Sequence, residues 1–231
     1  MLTLSEHMLT QRTAANANQP DYWQIDDPPS KRMIMKQALH LFAQKGIEGV
    51  TVREIGAQAG YTNAALFKFF ATKDALALDL FERCYVALFE SLSAAARPEL
   101  TFSDRLHGVV TVCVVRMERD PDALLFVQDQ LRSMWPRVSP DIRRRSILGL
   151  IRATLEQGVR ENKVGSTADL NLLIAAISGT LQQFARMLSF GEFRGRATAW
   201  SGELERIILR IVSPAQPEIN ASKSFRRGEL Q

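Results

Sequence analysis

Residues 51–73 read TVREIGAQAGYTNAALFKFFATK, and this run decides how the rest of the chain is read. Thr51 is suited to cap a helix. Glu54 follows three residues later, which completes a capping box. Ile55 and Ala59 then share one apolar face. Gly60 stands where a left-handed residue ends a helix. Thr62 can cap again, and Leu66, Phe69 and Phe70 give the next helix a buried side. Two capped helices of roughly eight residues around a short glycine turn make a helix-turn-helix. Such a unit places its second helix in the major groove of DNA.

The flanks extend the pattern. Before it stands Met33-Ile-Met-Lys-Gln-Ala-Leu-His-Leu-Phe-Ala-Gln-Lys-Gly46, leading into Gly49-Val50-Thr51-Val52. After Leu66-Phe67-Lys68-Phe69-Phe70 comes Thr72-Lys73-Asp74-Ala75-Leu76. Together these residues resemble the N-terminal domain of TetR-family transcriptional regulators. Beyond Leu76 the likeness is one of size and helical character.

The charge distribution agrees. The chain has 231 residues and a net charge of +4. Residues 31–73 hold Lys31, Arg32, Lys36, Lys45, Arg53, Lys68 and Lys73 against only Glu48 and Glu54. This one segment therefore carries the whole basic excess, as a phosphate-binding face requires. An apolar content of 46% with 23% charged residues suits a globular protein. No apolar run approaches the roughly 18 residues of a membrane span. The N-terminus shows no charged-then-apolar signal pattern, and Cys84 and Cys113 make no disulfide framework. A reducing cytoplasm is the expected location.

Outside the helix-turn-helix the chain divides by its breakers. Residues 1–29 lack periodicity and read as a flexible lead-in, with Ser30 as cap of the first helix. The DNA-binding domain is expected over 30–73. Helices are then expected over about 74–98, 103–119, 121–134, 140–162, 168–188 and 199–212 by apolar spacing and Gly/Pro punctuation. Residues 214–231 read as a disordered tail. No segment alternates with period two. The expected fold is all-α: a three-helix head and, over 74–213, a six-helix body for ligand binding and dimerisation.

Side-chain spacing and the resemblance assign roles. Asn63, Ala64, Ala65 and Lys68 should face outward, because Leu66, Phe69 and Phe70 are needed inside. Asn63 can pair with adenine, Lys68 can reach guanine or a phosphate, and Ala64 or Ala65 can touch a thymine methyl. Thr51 and Thr62 cap their helices, worth about 1 kcal/mol each. The resemblance implies that both threonines also contact phosphate and that Lys73 is the family's phosphate-binding lysine. Phe67 is a departure: the family places there a tyrosine whose hydroxyl binds phosphate. Its loss should weaken one contact by about 1 kcal/mol.

The resemblance further implies a homodimer formed through helices 168–188 and 199–212, a palindromic double-stranded operator, and a small hydrophobic or aromatic effector held in the body. Cys113, Met117, Phe126, Gln130, Trp135 and Gln182 are candidates to line the effector pocket, each with a competing reading as core. His7, His40 and His107 have no metal-ligand spacing, and no cofactor is implied. No nucleophile–base pair, paired carboxylates or phosphate loop points to an enzyme. The alternative to a regulator is a helical small-molecule-binding or scaffolding protein with weakened DNA binding, for which Phe67 is the one pointer.

Overall fold

The computed structural model describes residues 22–24, 26–166 and 169–214, and among them there is no strand. The head holds α1 (Pro29–Lys45), α2 (Val52–Ala59) and α3 (Asn63–Phe67). The body holds α4 (Lys73–Ala95), α5 (Phe102–Arg119), α6 (Pro121–Met134), α7 (Pro140–Arg143), α8 (Ile147–Arg160), α9 (Leu170–Ser189) and α10 (Ser201–Val212). Short 3₁₀ turns at Trp135–Arg137 and Ala197–Trp200 follow α6 and precede α10. Thr72, Thr101, Ser146 and Asp169 cap α4, α5, α8 and α9 through their side-chain oxygens.

Three expectations change. Ser30 does not cap α1: Pro29 already opens the helix, its fixed φ suiting the first turn, and Ser30 lies inside it. The helix α3 has five residues, shorter than the roughly eight of the usual unit. The helix expected over 140–162 is broken between Arg143 and Ile147. The break is fastened from outside. The Tyr85 hydroxyl donates to the carbonyl of Arg145 (2.7 Å) and accepts from the N–H of Ile147 (3.3 Å). Ser146 then caps α8 by accepting from Gly149 N–H at 2.9 Å. Burial raises the Tyr85 phenol above its ordinary range, so it remains a donor.

The end of the lead-in is also held. Residues 1–21 and 215–231 lie outside the described residues, as does the expected helix start at Ala168. Tyr22 and Asp27, however, are buried. Asp27 pairs with Arg83 of α4 (2.6 Å) and Lys31 of α1 (2.9 Å), and accepts from Gln24 N–H (3.0 Å). Burial by itself pushes the Asp27 carboxyl up. The hydrogen bonds from Lys31, Gln24 and Arg83, with the Arg83 charge, outweigh it and leave the pKa below its usual value.

Apolar side chains form two clusters. The first joins α1–α3 to the first half of α4 and to Ala123, Phe126, Val127 and Met134 of α6. The second gathers α5, α8, α9 and α10 around Phe102, Val110, Leu155, Phe184 and Ile208. The helix α6 belongs to both, since its Leu124 packs in the second. At the seam Phe42 of α1 stacks on Phe126 with centroids 5.9 Å apart, and His40 Nδ1 lies 2.8 Å from Asp122 Oδ2. The first cluster thus runs past residue 73, where the head was expected to end.

Candidate nucleic-acid interface

The geometry of α2 and α3 is set by local hydrogen bonds. Thr51 Oγ1 accepts from Glu54 N–H (3.2 Å), while the Glu54 carboxylate accepts from Thr51 N–H (2.8 Å). This reciprocal box, the Thr51 hydroxyl and then Lys45 (3.3 Å) hold Glu54 at a pKa of about 2. At the other end of α2, Gly60 takes φ +73°, which a side chain would strain. Tyr61 N–H reaches back to Gly56 O at 2.9 Å. A Cβ on Gly56 would come within 2.8 Å of Tyr61 O, so only glycine admits so tight a turn. Thr62 Oγ1 then accepts from Ala65 N–H (3.3 Å) and starts α3.

Anchoring of α3 follows the expected pattern. Leu66 and Phe70 are buried and Phe69 is half-buried. Asn63, Ala64, Phe67 and Lys68 are exposed on the opposite side, at the spacing that lines one helical face. Ala65 is half-buried and lies beside this stripe. Thr51 and Thr62 are exposed at the ends of α2 and α3. The Lys68 ammonium lies over the Phe69 ring, 5.9 Å from its centroid.

The basic excess is less available than the sequence suggests. Lys73 Nζ donates to the carbonyls of Ile47 (2.6 Å) and Val50 (2.8 Å), tying the start of α4 to the α1–α2 loop. An ammonium has three N–H donors, so one remains for a phosphate. Lys31 pairs with Asp27, Lys45 pairs with Glu54, and Arg32 donates to Gln24 O. Among the described residues Lys36, Arg53 and Lys68 are exposed and have no ion-pair partner. Tyr61, 38% exposed at the turn, was not singled out by its spacing.

In the body, a cleft of about 290 Å³ opens between α5, α6, the end of α9 and the loop before α10. Its apolar wall includes Met117, Leu124, Leu125, Ala185 and Leu188. Glu118, Ser189 and Arg196 supply the polar groups. Glu118 accepts from Arg196 Nε (2.6 Å) and from the hydroxyl and N–H of Thr198 (2.8 and 3.2 Å), which hold its carboxyl at about 2. Of the six side chains expected to line a pocket, Met117 alone lies on this cleft. Phe126 is fully buried against Phe42. Trp135 packs on Tyr85, with centroids 4.9 Å apart. Gln130 is bonded by Ser133, and Gln182 is exposed on the outer side of α9. Cys113 packs against the second cluster, and burial pushes its thiol up to about 12, which makes it a poor redox centre.

Residues 34–80 match the family model for bacterial regulatory proteins of the tetR family. These residues form a tetR-type N-terminal domain, and the chain as a whole has a TetR-like fold. It is 28% identical over 184 residues to the nucleoid occlusion factor SlmA of Salmonella paratyphi B, covering 73% of this chain and 86% of that one. The ketosteroid transcriptional regulator KstR2 of Mycobacterium tuberculosis shares the fold with a TM-score of 0.69 at 20% identity, covering 82% of this chain and 97% of that one. The regulator FadR of Bacillus subtilis, solved with stearoyl-CoA, shares it with a TM-score of 0.62 at 17% identity, covering 78% and 98%. The fold is therefore that of a DNA-binding transcriptional regulator. Among the described residues, no helix is long and apolar enough to cross a membrane, and no three metal-ligating side chains cluster.

Proposed function

We propose that this chain is a homodimeric TetR-family repressor that reads a palindromic double-stranded operator with α3 and is released by a small hydrophobic or aromatic molecule. The observation that carries this reading is the exposed stripe Asn63, Ala64, Phe67 and Lys68 on a helix pinned by Leu66 and Phe70. Thr51, Thr62 and the third donor of Lys73 supply phosphate contacts beside it.

Dimerisation is supported by the outer faces of α9 and α10. Leu172 and Phe190 are each 70% exposed, and Ile207 is 38% exposed. Ala175 and Gly179 lie between the first two, and a Cβ on Gly179 would meet nothing within 4 Å. Small residues between large apolar ones let two helices approach closely. Two subunits would set their recognition helices about 34 Å apart, one turn of DNA.

The body cleft is the effector site in this reading. Its volume stands at the small end of ligand sites, roughly 300–1,000 Å³. FadR, with the same fold, was solved with stearoyl-CoA, which supports a hydrophobic effector. The helix α6 offers the coupling. Leu124 and Leu125 line the cleft, while Asp122, Ala123 and Phe126 hold α1. A ligand that favours one position of α6 would shift the head by population, to the extent of its differential affinity.

The test is binding of the DNA beside the protein's own gene across a salt series. Affinity should fall steeply as salt rises, because phosphate contacts release counterions. Affinity indifferent to salt would sink the reading. A second reading follows from the likeness to SlmA: a DNA-bound nucleoid occlusion factor without an effector. In that case, substituting Leu124 or Leu125 at the cleft leaves the response of DNA affinity to every small molecule at zero, as in the parent protein.

A further inference from the structure

We propose that Phe67 is a specificity-determining residue that reads the 5-methyl group of one thymine in each half-site, a role that rests on α3 being the DNA-reading helix. A large apolar ring that is 49% exposed needs an explanation in the monomer. Among the other large exposed apolar side chains, Leu172, Phe190 and Ile207 lie on the proposed dimer face, while Leu131 and Leu148 stand on α6 and α8 of the body. Phe67 stands on α3, in the stripe with Asn63, Ala64 and Lys68.

The neighbourhood of the ring leaves it uncovered. Leu66 and Phe70 turn inward to the first cluster, and Phe69 packs against that cluster from its edge. The Lys68 ammonium is drawn over Phe69. Ala64, three residues before Phe67 and therefore its neighbour on the helix face, offers only a methyl group. The pair makes a small apolar patch between an amide and an ammonium.

In the major groove only one base-edge group is apolar, the thymine 5-methyl. Guanine, cytosine and adenine present hydrogen-bonding atoms there, and Phe67 can satisfy none of them. Placing the ring against those atoms would strip their water without replacing its hydrogen bonds. Against a thymine methyl the same ring removes apolar surface on both sides. The position therefore selects thymine by attraction and opposes the other bases by desolvation.

The experiment uses the full chain to select binding sequences from a random duplex pool. Each thymine of the selected duplex is then replaced by uracil, which deletes the methyl and nothing else, and affinity is measured by fluorescence anisotropy. One thymine per half-site should lose about four-fold in affinity as uracil, the worth of one buried methyl, and about sixteen-fold when both half-sites are changed. In Phe67→Ala that thymine–uracil difference should vanish while other positions keep theirs. In Ala64→Gly it should persist. Phe67 is exposed, so the variant should keep the parent's melting temperature, which is recorded alongside. Discrimination that survives in Phe67→Ala, or is absent from the parent protein, overturns the proposal while leaving DNA binding intact. Failure to enrich any sequence overturns the DNA-reading helix itself and this role with it.

Discussion

The two ends of the molecule are built by different means. Around α2 and α3 the shape is written in backbone geometry: two threonine caps, a reciprocal carboxylate, a left-handed glycine and a lysine clasping two carbonyls. These helices have eight and five residues, too short to persist alone. In the distal body the helices reach eighteen and twenty residues, and interlocking apolar side chains hold them. Directional bonds fix a surface that must match a rigid partner. Packing tolerates exchange of one apolar residue for another, so the distal body can change in sequence and keep its helices in place.

The sharpest way to break this contrast is at the seam, where packing reaches into the head. Phe126→Ala removes the ring stacked on Phe42 and should cost about 4 kcal/mol in urea unfolding. A loss under about 1 kcal/mol would mean that the two regions are energetically separate. Asp27→Ala should come next, at about 3 kcal/mol, because Lys31 and the buried Arg83 both lose this carboxylate and Arg83 keeps only Asp79 at 2.9 Å. Its pH signature has a definite sign. The folded pKa of Asp27 lies below the ordinary 3.8, so the stabilisation is complete above that value. It disappears as pH falls below 3.8 and through the folded pKa. Parent and Asp27→Asn melting curves should therefore converge in acid; curves that stay parallel down to the acid limit would count against the pair.

Smaller effects test the directional side. Lys73→Met should lose about 2 kcal/mol of thermal stability without any DNA present, from two charge-assisted bonds to carbonyls. If only DNA affinity falls and the melting temperature holds, the lysine serves phosphate alone. Thr51→Ala should cost about 1 kcal/mol, the worth of a cap. Thr51→Ser keeps the oxygen and should restore most of it, a comparison best made by chemical denaturation of both variants side by side.

What was legible in the sequence follows the same division. Thr51 with Glu54, Gly60 and Thr62 act on neighbours within three residues, so their spacing disclosed them. The break before α8 depends on Tyr85, sixty residues earlier, and the string Arg143-Arg144-Arg145 gave no sign of it. Asp27 looked like lead-in because its partner Arg83 stands fifty-six positions away. Phe126 was apolar and helical, which places it in a core without saying which one. Its stacking on Phe42, rather than on a pocket, is a long-range fact. The cleft residues Leu124, Leu125 and Leu188 carried no mark separating them from ordinary packing.

The Lys73 clasp has a mechanical consequence. It rivets the first turn of α4 to the loop between α1 and α2, and Asp27 adds a second rivet at Arg83, near the middle of α4. A lever fastened at two points cannot pivot at either. Whatever motion reaches α3 must turn the head and the first half of α4 as one piece. The pivot then belongs near Leu88, where α4 passes from the first cluster to the second.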